Sequence, residues 1–399
     1  MKVFVIGMWH LGSVVSSCLG SLGNQIFCFD YDPKVRANLR IGKLPIEEPG
    51  LTDLFSKANV KVEESLEKIK ECDFVYIAFD TPLDSHNKPD LQLIYQSIMD
   101  SIPYLKNQII IISSQVPVGT SDKILQILAN SNKENEICYT PENLRLGNAI
   151  NCYMKPERMI FGLSSESIKK DIEQLFLPIK TEKHFTTLKI AEMVKHTLNA
   201  YLATLISFSG EISDICEKER INAYEVIRLL KLDERVSKKA PLEPGLGFSG
   251  GTLKRDLQVL RGLKNTLLID AVFQANEWRA WKLPLLILSK LYTRVGILGV
   301  TYKKGTDTLR DSPALSLIKN LKGLTFSVYD PLCVEKIVGT KMCSSVEEVA
   351  ENSEVVVIFT DYDEFKDIVK YDVDFIIDTK RLLKDIKIKQ DHYIVGDLK

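Results

Sequence analysis

The stretch PGLGFSGGTLKRD, Pro244 to Asp256, has the make-up of a glycine-rich catalytic loop. It sets Thr252, Arg255 and Asp256 close in the chain, beside Phe248 and Gly250, yet it offers no good nucleophile. A thiol titrates near pH 8.5 and is easily activated at neutral pH. A threonine hydroxyl is a far weaker acid, needs a strong positioned base, and its β-branch crowds attack on a carbonyl. Arg255 is no such base, because a guanidinium does not deprotonate in proteins. A covalent adduct at Thr252 is therefore not expected, which leaves a hydrogen-bonding role open to it. A second loop, VIGMWHLG, carries different chemistry. A dinucleotide fold places Gly-x-Gly-x-x-Gly there, with an acid about 20 residues further on. Gly7 and Gly12 fit the first and third glycines, and Asp30, closing IFCFD, fits the acid that holds the adenosine ribose. Trp9 replaces the middle glycine, which normally lets a pyrophosphate approach the free N–H groups of a helix start. Its side chain must point away or displace the phosphates. His10 and Leu11 complete the loop; His10 reads as a packing residue first and a phosphate donor second.

These loops need a scaffold. KVFVIG, QIFCFD, DFVYIAF, QIIIISS and RMIFG are short β-rich apolar runs, most of them separated by amphipathic stretches. Such alternation predicts a parallel sheet with helices on both faces. From about Thr187 to Arg220 the period changes: Ile190, Val194, Leu198, Leu202 and Leu205 recur at helical spacing. After Arg294 the β-rich runs return as VGILGV, TFSVYD, EVVVIFT and DFIID. The expected architecture is α/β: two Rossmann-like doubly wound domains joined by a long-helix central region, with a cleft between them. The expected boundaries are 1–185 for a dinucleotide-binding domain, 186–290 for the helical region and 291–399 for a second, smaller domain.

The bulk numbers bound the partners. In a 399-residue chain with 45% apolar residues, real cores are expected. A net charge of −1 argues against nucleic acid or an anionic membrane as the main partner. No run reaches the ~18 apolar residues of a membrane span. MKVFVIG runs straight into a strand pattern, without the features of a signal peptide. The eight cysteines are scattered, with no CxxC pair and no histidine at zinc-finger spacing. They read as reduced thiols of a cytoplasmic protein, and no metal site is expected.

With these pieces in place, the chain resembles the UDP-glucose/GDP-mannose dehydrogenase family over nearly its whole length. The first loop, PIEEPGL (Pro45–Leu51), DTPLD (Asp80–Asp84), VPVGT (Val116–Thr120) and PENLRLGNAI (Pro141–Ile150) come in family order. AEMVKHTLNAYLA (Ala191–Ala203), PGLGFSGGTLKRD and GVTYKKGTDTLRDSPAL (Gly299–Leu315) follow. The resemblance implies NAD as cofactor, a nucleotide sugar as substrate, a homodimer built on the helical region and a place in polysaccharide biosynthesis. It implies oxidation of the sugar C6 alcohol to a carboxylate in two hydride transfers, with a cysteine trapping the intermediate aldehyde.

Residue by residue, the resemblance makes Glu142, Lys195, Asn199 and Asp256 members of the catalytic group, with Thr252 at the position of the cysteine. Lys195 and Asn199 are one helical turn apart, so both project from one face, where an ammonium and an amide suit a developing alkoxide. Thr81 and Gln115 join the cofactor site, Gln115 standing where the family has a threonine. Glu142, Leu144, Lys195, Asn199, Phe248, Gly250, Lys303 and Arg310 fall on the substrate, and Arg235 on the neighbouring subunit's substrate. Ser249, Gly251 and Arg255 also depart from the family pattern. Groups that grip the sugar are largely kept, whereas those for the second oxidation are changed. The expected reaction is thus a two-electron step on a UDP- or GDP-sugar. The alternatives are a four-electron oxidation through a hydrate, and a non-catalytic nucleotide-sugar binder.

Overall fold

The structure, a computed structural model, describes residues 1–81, 89–263, 266–309, 311–333 and 335–397. It divides into two compact units, Met1–Thr197 and Leu198–Lys399.

The first unit is built on an eight-stranded sheet of β1 (Lys2–Ile6), β2 (Gln25–Phe29), β3 (Val60–Val62), β4 (Phe74–Ile77), β5 (Ile109–Ile112), β6 (Ile137–Tyr139), β7 (Met159–Leu163) and β8 (Lys183–Thr187). The spatial order is β3-β2-β1-β4-β5-β6-β7-β8, and every pairing is parallel except that of β6 with β7. Central strands such as Ile109–Ile112 and Phe74–Ile77 are apolar at every position because both faces are covered. Alternation divides their side chains between two cores. Val3 and Val5 pack with Leu19, Phe161 and Phe176, while Phe4 and Ile6 pack with Ile98, Ile124 and Leu128.

The second unit carries a wholly parallel six-stranded sheet of β9 (Arg294–Leu298), β10 (Thr325–Tyr329), β11 (Thr340–Met342), β12 (Val355–Ile358), β13 (Phe375–Asp378) and β14 (Asp391–Ile394). Its order is β11-β10-β9-β12-β13-β14, the doubly wound arrangement whose ligand crevice lies where the strand order reverses. The expected α/β class with two parallel-sheet domains is what is found.

The predicted long helix is one continuous element, Leu188–Lys218, and the division between the units falls inside it. Its most buried face is small and polar: Ala191, Glu192, Lys195, His196, Asn199 and Ala203. Large apolar residues stand exposed elsewhere on it, among them Ile190, Tyr201, Phe208 and Ile215. Among the described residues no helix is long and apolar enough to cross a membrane.

Candidate active site

The first crevice opens where β1 ends. Gly7 has φ +93°, and a side chain there would run into the Phe79 ring at 2.8 Å, so both conformation and space demand glycine. Its N–H donates to the Phe29 carbonyl at 2.9 Å and ties the loop to β2. Gly12 lies in the helix His10–Ser21, and a Cβ there would come within 1.7 Å of the Gly7 carbonyl oxygen. This is the close strand-to-helix approach that the third glycine permits. Asp30 accepts from Met8 N–H at 2.7 Å and Asp32 N–H at 3.0 Å. A carboxylate offers about four lone-pair sites, so capacity remains for a ribose diol.

Trp9 caps the helix with φ −74°, an ordinary value, so its backbone needs no glycine. The side chain is 46% exposed. Leu11 is partly buried against the first core. His10 is buried, its Nε2 lying 3.2 Å from Glu48 Oε2, so the ring is engaged in the packing role expected first. Gly7, Gly12, the open helix start and the unsaturated Asp30 fit NAD, with Trp9 the one altered wall.

Further along the first unit, Thr81 is buried and its Oγ1 donates to the Gln115 carbonyl at 2.6 Å, joining two of the expected cofactor residues. Glu142 accepts from Leu144 N–H at 2.7 Å, within the loop between β6 and the helix Ala149–Met154. Lys195 is buried and donates to Asn143 Oδ1 at 3.3 Å, so the structure brings it to the loop that bears Glu142.

In the second unit, Asn199 Nδ2 donates to Asp256 Oδ2, and both side chains are buried. Arg255, also buried, places Nε 3.9 Å from Asp256 Oδ1. Thr252 lies on the same helix, Gly251–Arg261, one turn before Asp256, but is exposed. Gly250, at φ +78°, caps that helix, and a Cβ on it would touch the Tyr302 ring at 3.5 Å. Phe248 is buried, its N–H held by Asn276 Oδ1 at 2.8 Å. Lys303 is half-buried with Nζ 5.5 Å from the Tyr302 ring centre. Arg235 is exposed and pairs with Asp233 at 2.7 Å. Arg310 lies outside the described residues.

Three positioning residues escaped the sequence reading. Glu48 is buried and accepts from Gly147 N–H at 3.0 Å, Ala149 N–H at 2.8 Å and the His10 ring. Glu192 is buried and accepts from Gly119 N–H at 2.5 Å and Ser121 N–H at 2.8 Å, at the start of the helix Thr120–Asn130. Burial pushes its carboxyl above the ordinary glutamate range in spite of those bonds. Asn276 is the third. Glu48 and Glu192 were visible in PIEEPGL and AEMVK as acids among apolar neighbours, whereas Asn276 gave no signal.

Burial disarms most of the thiols. Burial pushes the thiols of Cys18, Cys28 and Cys72 up to about 12, and raises those of Cys138, Cys216, Cys333 and Cys343 as well. Among the described residues no cluster could hold a metal ion.

A dinucleotide crevice, a second doubly wound sheet and a helix presenting Lys195 and Asn199 one turn apart define a two-domain NAD-dependent oxidoreductase. Similarity to known proteins makes the class narrower. The UDP-glucose/GDP-mannose dehydrogenase family matches in three parts: its NAD binding domain over residues 1–180, its central domain over 189–278 and its UDP binding domain over 296–385. The chain is 32% identical over 397 residues to UDP-glucose 6-dehydrogenase TuaD of Bacillus subtilis (strain 168), a match covering 92% of this chain and 85% of that one. A UDP-glucose dehydrogenase from Pyrobaculum islandicum shares the fold with TM-score 0.92 at 23% identity, over 98% of this chain and 97% of that one. The UDP-D-ManNAc dehydrogenase of Pyrococcus horikoshii follows with TM-score 0.88 at 26% identity, over 99% of each chain. The chain belongs to the UDP-glucose/GDP-mannose dehydrogenase family and is an NAD-dependent nucleotide-sugar dehydrogenase.

Proposed function

We propose that the enzyme carries out a single two-electron oxidation of a UDP- or GDP-sugar and stops short of the uronate. Thr252 carries this reading. It occupies the position of the family's cysteine, and its hydroxyl is on an exposed residue whereas Asp256, the next carboxylate on its helix, is buried. NAD, which Gly7, Gly12 and Asp30 would hold, would supply the hydride acceptor for the sugar alcohol. Lys195 and Asn199 stabilise the alkoxide, and the Asp256 carboxylate holds a water that takes the proton. Glu142, Leu144, Phe248, Gly250, Lys303 and Arg310 orient the nucleotide sugar. The seven thiols raised by burial supply no substitute for the missing nucleophile.

The test is stoichiometry. Incubation with NAD and a panel of UDP- and GDP-sugars should yield one NADH per sugar and no carboxylate by mass spectrometry. Two NADH per sugar with a uronate would overturn the reading in favour of oxidation through a hydrate. Tight sugar binding without turnover on any sugar would overturn it in favour of a non-catalytic binder.

The proposed assembly is a homodimer in the cytoplasm. Tyr201, Phe208 and Ile215 recur every seventh residue on the long helix and are exposed, an apolar stripe suited to the same helix of a second copy. In such a dimer Arg235, exposed on its loop, would reach the partner's sugar. Phe208→Glu should give monomers by light scattering; an unchanged mass would sink this interface.

A further inference from the structure

The ribose end of the first crevice holds cations as well as an acid. In dinucleotide folds a carboxylate after the second strand takes the ribose 2′-hydroxyl, and an arginine nearby accommodates a 2′-phosphate where the cofactor carries one. This chain has both kinds of group. Asp30 follows β2, and the helix Pro33–Arg40 that comes next carries Lys34, Arg36 and Arg40. The acid alone suits NAD, whereas the arginines alone would admit the phosphorylated form.

The two arginines converge on Glu64. β2 and β3 run parallel with Cys28 opposite Val62, so Asp30 and Glu64 leave the sheet at the same edge, each two residues beyond that pair. Arg36 Nε donates to Glu64 Oε2 at 2.9 Å, and Arg40 Nη1 meets Glu64 Oε1. One carboxylate thus bridges two guanidiniums, one oxygen to each. The Arg40 and Arg36 guanidiniums hold that carboxyl below the ordinary glutamate range. Arg36 is fixed further. Its Nη1 donates to the Asp30 carbonyl at 2.7 Å and the Tyr31 carbonyl at 3.3 Å, and its guanidinium lies 5.1 Å from the Phe29 ring centre. It is therefore anchored to the backbone of the ribose acid itself. Lys34 is exposed, a point charge without the fork that matches a phosphate. Asp32, the cap of the same helix, adds a second carboxylate beside Asp30.

We propose that Glu64 is a specificity-determining residue, which makes the site take NAD and refuse NADP. Its carboxylate fills, from within the chain, the seat between Arg36 and Arg40 that a 2′-phosphate would take. Carboxylate and phosphate make the same charge-assisted bonds to a guanidinium, so they compete for one pair of cations. With Glu64 in place, a 2′-phosphate meets Asp30, Asp32 and Glu64 while both arginines are engaged. The ribose diol of NAD needs only Asp30 and loses nothing. The assignment rests on the NAD site alone, not on the sugar or on the number of hydride transfers.

Calorimetry on the full chain with NAD and NADP tests it. Glu64→Ala empties the seat and should tighten NADP about tenfold, with NAD held within about twofold. Adding Arg36→Met and Arg40→Met to Glu64→Ala should take that gain away. Should Glu64→Ala fail to bind NAD, Glu64→Gln, which removes the charge and keeps the bulk, is read in its place, and its NADP-to-NAD affinity ratio should shift the same way. Three results would each overturn the proposal. The first is an unchanged ratio in a variant that binds NAD as the parent does. The second is a gain that survives loss of both arginines, which would make Glu64 a plain repulsive charge. The third is loss of NAD binding in both Glu64 variants, which would place Glu64 in the NAD site itself. None of these bears on the NADH stoichiometry, so the two ideas fail separately.

Discussion

The two sheets solve one backbone problem twice and use the solution differently. In the first, Lys2 N–H donates to Asp73 at 2.8 Å at the foot of β1. In the second, Thr293 and Arg294 N–H groups donate to Glu354 at 2.8 and 3.0 Å at the foot of β9. Gly7 has its counterpart in Gly299, at φ +85°, whose N–H donates to Tyr329 at 2.8 Å. Asp30 has its counterpart in Asp330.

The acids part company there. Asp30 takes two backbone donors. Asp330 takes five: Val300 N–H, Thr301 N–H, Thr301 Oγ1, Leu332 N–H and Cys333 N–H, at 2.9 to 3.2 Å. That exhausts a carboxylate, so Asp330 has nothing left for a ribose. The helix after the loop tells the same story. It starts at His10 in the first unit, but only at Pro313 in the second, after a long segment that carries Lys303. The free acid of a dinucleotide crevice is thus lost in the second unit, where the carboxylate is withdrawn into the scaffold.

The sharpest test of this contrast pairs Asp330→Ala with Asp30→Ala. Removing Asp330 orphans several buried N–H groups and should cost about 3 kcal/mol, an unfolding midpoint lower by roughly 8 °C. Removing Asp30 should leave the midpoint nearly in place and weaken NAD about tenfold, 1.4 kcal/mol, in calorimetry. Equal thermal losses would break the comparison. Next comes Trp9→Gly, which restores the missing glycine of the first crevice and should tighten NAD about tenfold. Unchanged or weaker binding would mean that the tryptophan has become part of the cofactor's seat.

The smallest effect is at the foot of β9. Backbone N–H groups of Thr293 and Arg294 hold the Glu354 carboxyl below the ordinary glutamate range. A depressed acid stabilises the fold above its unfolded pKa, and that contribution disappears as pH falls through the folded value. Glu354→Gln should therefore lose about 1 kcal/mol or less at neutral pH, and nothing once the parent's carboxyl is protonated. A difference that persists in acid would show that charge is not what matters at this clasp.

Much of this was legible in the chain. The long apolar runs became central strands, because a strand covered on both faces shows no alternation to disguise it. Val60–Val62, Ile137–Tyr139 and Thr340–Met342 went unseen, being three residues each and too short for any period to register. Lys183–Thr187 went unseen because KHFTT is mostly polar, as an edge strand allows. In the candidate site, residues with distinctive neighbours such as Asp30, Lys195 and Asp256 could be proposed from the chain alone. Asn276 did not, since it acts on a backbone N–H and belongs to no motif. Arg279 likewise binds a carbonyl, and its helix has no clear apolar stripe to set it off.

Glu48 limits how the first unit can be recombined. Its carboxylate spans two stretches of chain far apart in sequence, the His10 turn and the Gly147–Ala149 turn, with a third stretch between them. A chimaera that imports Met1–Arg40 from a relative keeps Glu48 and discards the histidine it was fitted to. One that imports residues up to a junction after Glu48 keeps that pair but presents a foreign carboxylate to the native turn. Segment exchange within this unit should preserve function only when the crossover lies beyond Ile150, so the stretch that behaves as one heritable module is far longer than the nucleotide-binding motif it contains.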